Sequence, residues 1–109
     1  MEKVSIQVQI NDYLISGIGK FHQNKIQLHT DQEELEYNLK KHILKKDNKE
    51  LNLTMNFNNK TIKYLLKSEN LQFVNKFDVF SLTNHDKQVN IKYRIEDTDF
   101  NLLIKYETI

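Results

Sequence analysis

Apolar side chains recur at every second position through most of this chain, and no other property of the sequence constrains its fold as tightly. Val4, Ile6, Val8 and Ile10 alternate with Lys3, Ser5, Gln7 and Gln9, and Leu51, Leu53, Met55 and Phe57 alternate with Asn52, Thr54 and Asn56. Val89, Ile91, Tyr93 and Ile95 alternate with Asn90, Lys92 and Arg94, and Phe100, Leu102, Ile104 and Tyr106 close the pattern. A strand turns successive side chains to opposite faces, so this period gives each strand one apolar face and one wet face. A set of such strands buries its apolar faces by closing into a barrel or by packing as two sheets. The expected fold is all-β, an antiparallel barrel of about eight to ten short strands.

Composition sets the outer limits. A chain of 109 residues is long enough for a single domain with one core. Alanine, the strongest helix former, is absent, whereas Ile, Val, Thr, Tyr and Phe are frequent. There is no cysteine, which excludes disulfides, thiolate metal sites and thiol nucleophiles. The net charge of +1, with both signs spread along the chain, provides no broad field for steering toward nucleic acid or an anionic membrane. The opening segment MEKVSIQVQI reads as a strand rather than a signal peptide, and no apolar run approaches a membrane span. A cytoplasmic location is expected. The richness in Lys, Asn and Ile matches AT-rich coding and a bacterial source.

Along the chain, strands are expected at about 3–10 and 13–21, joined by Asn11-Asp12. Gly17 and Gly19 share the parity of Ile15 and Phe21, and glycines so placed mark a bend or a close backbone approach. A dinucleotide loop would need a further glycine where His22 stands. Residues 30–46 carry two patterns. Thr30 with Glu33, and Leu35, Leu39 and Ile43 spaced by four, fit a capped helix; Leu35, Tyr37 and Leu39 alternating with Glu34, Glu36 and Asn38 fit a strand, the reading adopted. A strand at 50–57 leads to Asn58-Asn59, a candidate two-residue hairpin. Near residue 80 the apolar parity switches from Phe77 and Val79 to Phe80 and Leu82, which predicts a bulge.

Three stretches, GKFHQNKIQL (19–28), NKTIKYLLKSENLQF (59–73) and QVNIKYRI with FNLLIKYE (88–107), resemble the YwiB-like family of bacterial proteins, with Ile104, Tyr106 and Glu107 matching its closing motif. The mid-chain turn departs from the family in having Glu69-Asn70 in place of its usual glycine, and Leu28-His29 replaces a tyrosine-richer strand. The resemblance implies a calycin-like, lipocalin-like barrel. It carries no catalytic residues with it.

The side chains that could do chemistry are scattered. His22, His29, His42 and His85 lack ligand spacing, and Glu96-Asp97-Thr98-Asp99 lacks the glycine and distal glutamate of a calcium loop. Ser5, Ser16, Ser68 and Ser81 sit in no nucleophile motif. Glu34, Glu36, Lys63, Lys92, Arg94 and Lys105 all fall opposite the apolar stripe, so the interior is expected to hold no ionisable group and no enclosed active site. No metal or other cofactor is expected.

A non-enzymatic binding protein is therefore the leading expectation. A small apolar ligand inside the barrel would touch Leu53, Met55, Tyr64, Tyr93 and Ile104, although the same stripe is explained more simply by a filled core. A protein partner, or a second copy, could instead pair along an exposed strand. The alternative is a nucleic-acid or ribosome-associated module using Lys40, Lys41, Lys45 and Lys46 within the 40–49 stretch. Tyr37 is the one aromatic nearby, and Glu33, Glu34, Glu36, Asp47 and Glu50 offset the charge.

Overall fold

A computed structural model describes residues 2–109. Its eleven strands are β1 (Glu2–Ile10), β2 (Tyr13–His22), β3 (Lys25–His29), β4 (Glu33–Asn38), β5 (Ile43–Asn48), β6 (Leu51–Asn56), β7 (Thr61–Leu66), β8 (Leu71–Lys76), β9 (Asp78–His85), β10 (Gln88–Ile95) and β11 (Thr98–Thr108). They form one antiparallel sheet in the order β8-β7-β6-β5-β4-β3-β2-β1-β11-β10-β9. There is no helix among the described residues. The sheet rolls into a nearly closed barrel, one of the two ways in which the alternation can bury its apolar face.

β8 and β9 are the two ends of the sheet, yet Phe77 alone separates them in the chain. The run Leu71–His85 is thus a single stave split in two. Its first half pairs with β7 and its second half with β10. Closure comes from covalent continuity at Phe77, whose amide donates to the Lys60 carbonyl at 3.0 Å. The count of eleven, against the eight to ten expected, arises from this division.

The inner face is the predicted stripe. Val4, Ile6 and Val8 of β1 are buried with Val89, Ile91 and Tyr93 of β10 and Leu102 and Ile104 of β11. Leu44 and Met55 carry the core through β5 and β6. Each fully buried aliphatic or aromatic side chain contributes about 1.5–3 kcal/mol of transfer free energy. Aromatic rings fill the region around the junction. Phe57, Phe77 and Tyr93 meet with ring centroids 5.4–5.7 Å apart, edge to face, and Tyr93 stacks on Phe100 at 5.2 Å.

Residues 30–46 form strands β4 and β5. Thr30 does make the bond that a helix cap makes, its Oγ1 accepting from the Glu33 amide at 3.1 Å, but here that bond closes a turn into β4. Asn38 then ends β4, its Oδ1 accepting from the amides of Lys40 and Lys41 at 3.0 and 2.9 Å. A helix through Leu35, Leu39 and Ile43 is interrupted there.

The predicted bulge lies in β9, where Ser81 pairs with Lys92 and Val79 with Tyr93, leaving Phe80 as the extra residue. The glycine bend is also present. A side chain at Gly19 would run into the Gln27 carbonyl oxygen and Ile6 Cδ1, so β2 can approach β3 and β1 this closely only without a Cβ. Beyond that point the β2–β3 ladder stops, since only Lys20, Phe21 and His22 of β2 pair with β3. The Asn58-Asn59 hairpin differs from expectation. The connection spans four residues, 57–60, and its positive φ of 59° falls on Lys60. The Asn56 side chain accepts both the Asn58 and Asn59 amides, which lengthens the turn.

Candidate functional site

The barrel interior is packed. Met55, Tyr93 and Ile104 are buried in the core, while Leu53 and Tyr64 are partly buried against it. The internal space left between Ile6, Leu28, Leu44 and Ile104 is about 10 Å³, no more than one water requires. Three of these five residues thus belong to the core and two pack against it. Burial pushes the Tyr93 hydroxyl up to about 12 and raises Tyr37 further. Tyr37 meets His42 Nδ1 at 2.8 Å, and burial draws that imidazole below its ordinary value of 6.5.

One expectation about the inner face needs correction. Glu33 shares the parity of Leu35 and Tyr37, and Lys46 shares that of Leu44, so two ionisable groups occupy inward positions at the rim. Their side chains are 8% and 22% exposed, and Lys46 Nζ lies 3.2 Å from Glu33 Oε2. Tyr13 at the start of β2 donates to the other carboxylate oxygen at 3.1 Å, and Lys46 Nζ sits 5.1 Å from the centre of the Tyr13 ring. Desolvation, then the hydrogen bond and charge of Glu33, raises the Tyr13 hydroxyl above its ordinary value. The cluster ties the part of β2 that has left β3 to β4 and β5. Both Glu33 oxygens are engaged, so its chemistry is that of a clasp rather than of an acid or base. Parity with Leu35 shows that Glu33 turns inward, but its partnership with Lys46 and Tyr13 comes from the pairing of strands.

The basic stretch is dispersed by the fold. Lys40 and Lys41 lie in the β4–β5 turn, Lys45 points outward from β5, Lys46 is held by Glu33, and Lys49 lies in the turn at the opposite end of β5. A strand rises about 3.3 Å per residue, which puts the two turns roughly 20 Å apart. These lysines form no continuous track. Among the described residues, no three His, Asp or Glu side chains gather to hold a metal ion.

What the fold leaves open is the split stave. β8 is exposed at all six positions, and its edge away from β7 has no partner strand. β9 is likewise unpaired on the side away from β10. Leu71, Phe73, Val74 and Phe80 are exposed along this run, Val74 by 61% and Phe80 by 57%. Phe73 stacks on Tyr64 of β7 at 5.0 Å, and the Arg94 guanidinium lies 5.1 Å from the Phe80 ring. Lys76 is the one charged residue in β8. Edge strands are normally guarded by charges, prolines or coverage, and β8 has little of this. Sequence parity identified its apolar residues but could not show that the strand beside them was missing.

No family model, no curated protein and no solved structure matches the chain.

Proposed function

We propose that the protein is a non-enzymatic binding module that takes an extended segment of a protein partner as an added strand along β8. The observation that carries this reading is an unpaired edge with exposed apolar side chains on a strand that carries a single charge, Lys76. Backbone groups on such an edge supply affinity, and alternate side chains supply selectivity. Val74 points away from the inner face and Phe73 toward it, so an added strand would meet an apolar neighbour on each side. The filled interior directs binding to the outside of the barrel. The stretches that resemble the YwiB-like family support a calycin-like barrel, and the cysteine-free, lysine-rich composition supports a bacterial cytoplasmic setting.

The test is selection of a displayed random-peptide library against the folded protein, followed by amide shift mapping. The reading expects extended, alternating apolar peptides that perturb Leu71–Lys76 and lose binding to Val74→Lys. Peptides that map elsewhere, or none that map to β8, would overturn it. Sedimentation of the protein alone should give a monomer. A dimer dispersed by Val74→Lys would make a second copy the occupant instead.

A further inference from the structure

The outer face carries a second feature that the strand-edge reading does not use. A groove of about 610 Å³ runs across β1 to β6, within the size range of small-molecule sites. It opens where β2 leaves β3 beyond Gly19. Ile18, 61% exposed, lines it on the outer side, and the core residues Leu28 and Leu35, only 3% and 6% exposed, border it where the gap between β2 and β3 reaches inward.

The charges in the groove are unequal in their commitments. Each carboxylate along it is engaged. Glu34 Oε1 lies 3.0 Å from His29 Nδ1, and Glu36 Oε1 accepts from the Gln27 amide at 2.9 Å. Asp47 accepts from Lys67 Nζ at 2.7 Å, and that bond holds its carboxyl below the ordinary value. Of the four lysines in the lining, Lys46 is held by Glu33. Lys3, Lys20 and Lys45 make no ion pair among the described residues. Lys3 and Lys20 also stand directly opposite each other in the β1–β2 ladder. Like charges in that position destabilise a sheet, and no ion pair among the described residues offsets them. A bound anion would.

We propose that this groove binds an amphipathic organic anion, its anionic head between Lys3 and Lys20 and its apolar body on Ile18, reaching into the gap toward Leu28 and Leu35. Lys45, further along the same outward row, would bound the far end. The pairing of free ammonium groups with an adjoining apolar surface selects against both inorganic anions and neutral amphiphiles.

Dodecanoate below its micellar concentration is a suitable probe, followed by amide shifts in the folded protein. Saturable shifts are expected at Lys20, Gln27 and Leu35. The double variant Lys3→Gln/Lys20→Gln, at two exposed positions, should weaken binding by about tenfold or more, the loss expected for charge-assisted bonds. Lys92→Gln/Lys105→Gln, on β10 and β11, should leave it unchanged. Dodecyltrimethylammonium should not shift the groove amides. Equal response to the cationic amphiphile, shifts confined to β8, or undiminished binding by the Lys3/Lys20 variant would each overturn the proposal.

Discussion

At the scale of single residues, two glycines that look equivalent in sequence do different work. At Gly17 an added Cβ would meet only Leu28 Cδ1, at 3.0 Å, the mobile end of a side chain. At Gly19 it would meet backbone, the Gln27 carbonyl, together with Ile6. Gly19→Ala should therefore cost about 3 kcal/mol, and Gly17→Ala about 1 kcal/mol or less, by urea unfolding. His42 provides a second residue-level prediction. Its imidazole is held below 6.5 in the fold, so unfolding takes up a proton. The stability it contributes is complete above the unfolded value and is lost as pH falls through the folded one. The urea midpoint should drop between about pH 7 and pH 5, and the drop should shrink in His42→Asn. Asparagine suits the φ of 56° at that position.

At the scale of elements, Phe77 joins the two halves of the split stave and Val74 decorates its free edge. Phe77 is buried against Phe57 and Tyr93, and Phe77→Ala should cost about 4 kcal/mol. Val74→Ala, at an exposed site, should change stability by less than about 0.5 kcal/mol. The elements were largely legible in the sequence because a two-residue period reports directly on which face is buried. β1, β2, the bulge at Phe80 and the bend at Gly19 all follow from parity. Residues 30–46 were harder because Thr30 makes the same local bond in a turn as in a helix cap. The Asn58-Asn59 turn was misjudged because asparagine serves both as a residue tolerant of positive φ and as a side-chain acceptor, and Asn56 uses the second property. The Glu33–Lys46 clasp, the division at Phe77 and the groove depend on pairing between strands, which periodicity within a strand does not encode.

At the scale of the whole molecule, the barrel is a meander whose ends are joined by β1 and β11, with Val4 opposite Thr108 and Ile10 opposite Leu102. Two buried phenols limit its alkaline range. Tyr37 and Tyr93 both titrate above their unfolded value of 10.0, so the stability they contribute is present below that value and is lost as pH rises through the folded ones. Phenolate absorbance should show their ionisation coinciding with loss of the β-sheet circular dichroism signal. The filled barrel keeps an unpaired edge along β8. Amide hydrogen exchange of the isolated monomer measures that edge most directly. Protection should be greatest in β1, β10 and β11, while amides on the free side of β8 exchange at close to unstructured rates. Protection along all of β8 equal to that of β1 would mean that the edge is already paired and has no room for an added strand.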